Sequence, residues 1–199
     1  MKKLLFVLLG TFFIAIGTQS ASAQVSIPQE TKMLNPQLFN IGFNSMKLGI
    51  VDHDSDYKVS RFGVALSGGY AVVDNLLVKG ELALQYGKYE DYSAYLLSIG
   101  AGAKYYLPMG VFAGAGLNYS YGKANLKGAS SSALSDGSID VGFVDLRILA
   151  GYAFFVTDNI SLEPAVSYGF KIAGGEIGDT GVKLKYSRLS IDVGMSLFF

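Results

Sequence analysis

The chain has no cysteine and no tryptophan, only four prolines and a single histidine among its 199 residues. Without cysteine there can be no disulfide framework, no thiolate metal or redox site and no lipid-modified N-terminal cysteine. Charge is scarce as well: Asp, Glu, Lys and Arg make up 16% of the chain, against about 25% in ordinary soluble domains. Sixteen basic and sixteen acidic residues cancel to a net charge of zero, so the composition carries no nucleic-acid footprint. Long apolar runs are also missing. The one sustained run, Leu4 to Gly17, is shorter than the roughly 18 residues a membrane-crossing helix needs, and a helical membrane protein is excluded.

Lys2 and Lys3 precede that run and Ala21-Ser22-Ala23 follows it, the pattern of a secretory signal peptide over 1–23 with cleavage near Ala23/Gln24. Residues 24–37 read as an N-terminal extension and 38–199 as a single domain. That domain is rich in what remains: the chain holds 25 Gly, 13 Tyr and 13 Phe. Apolar and small or polar residues alternate with period two from Leu38 onward, which makes strands rather than helices. Eight segments follow, at 38–50, 59–70, 75–87, 93–107, 111–122, 141–155, 159–171 and 183–199. Tight connections at 71–74, 108–110 and 156–158 alternate with longer, more polar ones at 51–58, 88–92, 123–140 and 172–182. The expected fold is all-β: an eight-stranded antiparallel up-and-down transmembrane barrel with short periplasmic turns and longer extracellular loops.

Aromatic placement agrees. Tyr86, Tyr95, Tyr119, Tyr121, Tyr168 and Phe170 fall near the loop end, whereas Phe39, Tyr70, Tyr105, Tyr152, Phe154 and Phe199 fall near the turn end. Two interfacial girdles are built this way. A soluble up-and-down barrel with an aromatic core is the competing reading of the same residues, and clustering at two ends argues against it.

The last strand carries the most specific signal. Leu189, Ile191, Val193, Met195, Leu197 and Phe199 share one face, with only Phe198 breaking the alternation. Asp192, Gly194, Leu197 and Phe199 resemble the C-terminal assembly signal of Gram-negative outer-membrane barrels. With topology and girdles, this makes the chain similar to the small eight-stranded outer-membrane proteins of the OmpX and OmpA-barrel type. The resemblance implies residence in the cell envelope, contact with outer-membrane lipid and lipopolysaccharide, biogenesis through the barrel-assembly machinery and a monomer without cofactor.

If the apolar face meets lipid, the other lines the lumen and presents Arg61, Lys79, Glu81, Lys104, Asp145, Arg147, Glu163, Arg188 and Asp192. Eight strands enclose only enough space for side chains, so these charges are expected to pair, with Gln85 and Asn118 extending the network. Lys79, Glu81, Lys104 and Glu163 count as a lower layer and the rest as a middle-to-upper one. Four further candidates stand against plain solvation. Asp52, Asp54 and Asp56 have the opening spacing of a calcium loop, but Tyr57 and Gly63 stand where that loop needs Gly and Glu. His53, with Asp54 and Ser55, could suggest acyl transfer on lipid A, yet all three share one short segment with no sign of convergence. Lys183 and Lys185 lie at the outer rim, at the level of lipopolysaccharide phosphates, while Gly128 to Ser132 reads as a flexible recognition loop. The sequence thus favours a non-enzymatic envelope-structural or surface-interaction protein, ahead of a lipid-A acyl hydrolase or transferase and of an accessory part of a secretion or envelope assembly.

Overall fold

A computed structural model of the chain describes residues 25–50, 53–89, 92–126, 138–177 and 182–199. Side chains are described for these except at 38–50, 53–61, 88–89, 92, 94, 124–126, 138–139, 176–177 and 182–185. The strands are β1 (Lys32–Ile50), β2 (His53–Val73), β3 (Leu76–Tyr89), β4 (Tyr92–Tyr106), β5 (Val111–Leu126) and β6 (Ser138–Tyr152). They continue with β7 (Phe154–Thr157), β8 (Ile160–Gly174), β9 (Glu176–Ile177) and β10 (Val182–Phe198). β7 prolongs β6 past Ala153 along β8, and β9 prolongs β8 past Gly175 along β10, so ten pieces make eight barrel strands. Every pairing is antiparallel between neighbours, and β10 closes on β1 from Gly49↔Lys183 down to Met33↔Phe198. Among the described residues the wall closes without a long free edge that could template aggregation.

Most strand boundaries differ from the sequence reading, above all at the start of β1 and at the loop end. β1 begins at Lys32 rather than Leu38, because Asn35-Pro36 does not end the strand. Pro36 lies beside a slip in register at Gln37, the kind of bulge where a residue lacking N–H is tolerated. At the loop end, 51–58 and 88–92 are not long loops. β1 and β2 stay paired up to Ile50↔His53, and β3 and β4 up to Tyr89↔Tyr92, leaving only 51–52 and 90–91 between them. Beyond the bilayer both faces of a hairpin meet water, so its residues lose the apolar alternation and read as loop while the backbone ladder runs on.

The outer face is apolar and open. In β3, Val78, Leu82, Leu84 and Tyr86 are about half exposed while Lys79, Ala83 and Gln85 are buried. In β4 the outward file runs from Tyr95 through Leu97 and Ile99 to Tyr105. Ten residue steps at a tilt near 40° make roughly 25 Å of height, the thickness of an outer-membrane apolar band. Of the expected girdle residues, Tyr70, Tyr86, Tyr95, Tyr105, Tyr119, Tyr121, Tyr168 and Phe199 are exposed at its two ends, and Tyr152, Phe154 and Phe170 are half-buried. Phe39 falls among the side chains outside the description.

Leu84 and Gln85 therefore separate the two faces within one peptide unit, with 54% and 4% of their surfaces exposed. Leu84→Arg is expected to cost more than about 0–1 kcal/mol, the range of an interfacial position, and up to about 2–4 kcal/mol, the range of the midplane, since it sets a guanidinium on the lipid face one outward residue inside the Tyr86 girdle. Gln85→Arg should act through lumen packing and lumen charge instead, with an insensitivity to bilayer thickness that Leu84→Arg lacks. Equal folding free energies for the two variants in bilayers of two thicknesses would contradict the strand phase.

Candidate functional site: the charged lumen

The inward files bring the predicted charges together in tiers. At the turn end, Met33, Ala71, Leu77, Tyr106, Phe112 and Phe198 form a buried apolar floor. Phe198 stacks on Phe155 at 5.6 Å between centroids and meets Tyr106 edge-on at 6.2 Å, which accounts for its break in the alternation. Above this floor Glu163 accepts bonds from Lys104 Nζ (2.5 Å), Tyr106 OH (2.7 Å), Ser161 Oγ (2.9 Å) and Asn35 Nδ2 (3.2 Å). Lys104 Nζ also sits 4.2 Å from the Phe112 ring centroid, so the ammonium lies between a carboxylate and an aromatic face.

The middle tier centres on Arg147. Its Nη1 binds Glu81 at 2.6 Å and its Nη2 binds Asp192 at 2.7 Å. Lys79 completes Glu81 at 2.7 Å, and Ser167 Oγ donates to Asp192 at 2.7 Å. Expected layering put Glu81 low and Arg147 high; the Arg147–Glu81 bond joins the two layers instead. Higher up, Asp145 accepts from Asn118 and Ser120, and Ser120 bonds Ser98 at 2.8 Å. Leu96, Phe143 and Tyr186 roof this tier, with Phe143 and Tyr186 at 4.8 Å between centroids.

Arg188 is buried as well, and its Nε has no hydrogen-bond partner among the described residues. The side chain of Arg61 falls outside the described residues. Without it, four cations (Lys79, Lys104, Arg147, Arg188) face four anions (Asp145, Glu163, Asp192 and the partly buried Glu81), and the described lumen charges balance. Spaces between these side chains measure about 10 to 20 Å³, room for about one water each.

Sheet register explains how so narrow a lumen holds these long side chains. Arg188, Gly169, Arg147, Gly116, Gly102, Lys79 and Gly69 follow one another across the wall, so glycines stand between the bulky cations. A Cβ on Gly102 would come within 2.5 Å of the Ala115 carbonyl oxygen and 2.8 Å of Gly116 Cα. Glycine is required there for the close approach of β4 and β5, and the space it leaves is taken by neighbouring cations.

The remaining candidates fall outside the described side chains. Asp52 lies outside the described residues, as do the side chains of His53, Asp54, Ser55 and Asp56, and β2 carries 53–56 as paired strand rather than calcium loop. Lys183 and Lys185 side chains and the segment Gly128 to Ser132 also fall outside, as does the leader over 1–23. Within the assembly pattern, Asp192 and Gly194 face the lumen, while Leu197 and Phe199 lie on the outward file. The sequence reading missed the serines, Asn35 and Tyr106 of the network and both apolar ends; Phe198 out of phase was the available signal.

A closed antiparallel eight-strand wall, apolar outside and charged within, defines the fold of the small outer-membrane β-barrels of the OmpX-like type. Solved structures agree. Neisserial surface protein A matches with a TM-score of 0.58 and 19% identity, over 84% of this chain and 97% of its own. Ail, the attachment invasion locus protein of Yersinia pestis, matches at 0.53 and 18%, over 85% and 99%. The outer-membrane protein AlkL, solved in lipid bilayers, matches at 0.55 and 13%, over 92% and 94%. No protein-family model and no curated protein matches the sequence.

Proposed function

We propose that this chain is an integral outer-membrane β-barrel protein without enzymatic activity, exported with cleavage near Ala23/Gln24. Its role is envelope-structural or surface-interacting, and its lumen is filled by side chains. One observation carries this reading: among the described residues the lumen charges balance, and Lys79, Glu81, Lys104, Arg147, Glu163 and Asp192 pair with one another between an apolar floor and an apolar roof. Transport through an eight-stranded wall needs a continuous water column, and interior side chains leave none at this diameter. The matches to a neisserial surface protein and to an attachment invasion locus protein are consistent with a surface role. Lipid and lipopolysaccharide surround the barrel, the assembly machinery inserts it, and it works as a monomer.

Planar bilayers test the reading. The purified protein is expected to give no steady porin-type conductance. Stable, large single-channel currents would overturn it, and the lumen charges would then be a selectivity lining.

A further inference from the structure

Residues 25–31 are more than a leader into β1. Val25 N–H donates to the Pro108 carbonyl at 2.8 Å, across the turn that joins β4 to β5. Ile27 is bound on both sides by Asn75: its N–H reaches Asn75 Oδ1 at 2.7 Å, and its carbonyl accepts from Asn75 N–H at 2.8 Å. Gln29 N–H donates to Asp74 Oδ1 at 2.8 Å, Glu30 N–H donates to the Ala71 carbonyl at 2.8 Å, and Ala71 N–H returns a bond to Thr31 at 2.8 Å. Two turns thus offer a row of backbone and side-chain partners to a peptide that runs without regular structure over 25–28 and turns at Gln29-Glu30, where Glu30 has a φ of 72° and Thr31 N–H reaches the Pro28 carbonyl at 3.3 Å. The Ile27 side chain, 2% exposed, enters the same buried cluster as Leu77, Tyr106, Phe112 and Phe198.

Asn75 has the chemistry for this double role. It holds a φ of 63°, a region where Asn is among the few side chains tolerated, and that conformation leaves its N–H and its amide oxygen both bound to Ile27. Its own carbonyl accepts from Tyr106 N–H at 2.9 Å, tying the peptide site to the floor of the lumen.

We infer that the turn end of the barrel is a peptide-binding site, occupied by the chain's own residues 25–31, with a pocket for one branched aliphatic side chain. The occupied site seals the floor of the lumen from the water at that mouth, and release of the segment opens it. The absence of native cysteine allows a direct test, because Ala71→Cys places one thiol in the floor at a site that is 0% exposed. In folded protein this thiol is expected to react slowly with a membrane-impermeant maleimide. Ile27→Asp, or deletion of 25–30, should raise the rate at least about tenfold, a local opening rather than global unfolding. A synthetic peptide with the sequence of residues 25–31, added to the deletion variant, should restore slow labelling, and the same peptide carrying Ile27→Asp should not. Folding is checked in each case by heat modifiability; if the deletion variant does not fold, the peptide is tested on Ile27→Asp. Equal rates with and without Ile27 would overturn the inference, as would a peptide that gives no protection to a folded variant.

Discussion

Phe199→Asp, or loss of Phe199, should leave cells with less than about a tenth of the normal amount of heat-modifiable, membrane-inserted barrel. Phe199, the residue after β10, is 69% exposed in line with that strand's outward file, and its backbone is bonded both ways to Lys32 at the start of β1. Its side chain therefore contributes little packing to the folded wall. An acidic residue near the interface costs only about 0–1 kcal/mol in a folded barrel, too little to unfold one. If assembly nevertheless fails, the loss is one of recognition. The same variant, refolded from denaturant into detergent, should recover nearly the unmodified yield. Normal insertion of Phe199→Asp in cells would remove the assembly role assigned to Asp192, Gly194, Leu197 and Phe199; equal failure in cells and in detergent would make the residue structural instead.

The faces of this barrel were legible because period two is a geometric consequence of the extended chain. Leu84 and Gln85 could not both face lipid, and every described charge assigned to the lumen lies on an inward file. Pairing was less legible. Alternation gives a side chain's face and approximate height, but Arg147 meets Glu81 across the lumen, between strands that are not neighbours in the wall. Periodicity carries no information about that distance.

The ends of the lumen were hidden for a different reason. Tyr106, Phe112 and Phe198 are aromatics on inward positions near the turn end, and a reading that sends aromatics to the girdles has no place for them. They are inside because the floor of the lumen is roofed by polar tiers and covered below by Ile27, so that it behaves as a small core. The segment supplying Ile27 carries no periodic pattern over 25–31. Its order comes from partners about 40 residues and more away in sequence, among them Ala71, Asp74, Asn75 and Pro108, and only the folded turns bring these together.

Arg147 is the residue on which the lumen depends most. It is 5% exposed, and it is the cation that joins two buried carboxylates from opposite sides, Glu81 on β3 and Asp192 on β10. Arg147→Ala is expected to cost about 3–5 kcal/mol, because it withdraws a cation from buried anions that keep their desolvation penalty. Lys79 still serves Glu81 and Ser167 still serves Asp192, but the neutral balance of the described lumen charges shifts by one unit toward negative. The truncation also leaves an arginine-sized void among glycines, where the spaces are already water-sized, so an occasional leak in planar bilayers should accompany the loss of stability. Charge and volume can be separated. Arg147→Met with Glu81→Gln removes both ion pairs of Arg147 and that of Lys79 with Glu81, yet it fills the space and restores the charge balance, with Ser167 still bonded to Asp192; buried pairs replaced by uncharged groups of similar volume are often tolerated. This double variant should recover more than half of the stability lost by Arg147→Ala, measured as denaturant unfolding in lipid vesicles. A loss below about 1 kcal/mol for Arg147→Ala would instead place the lumen charges in the regime of solvated ion pairs, and the wall would then have to enclose far more water than its side chains leave room for.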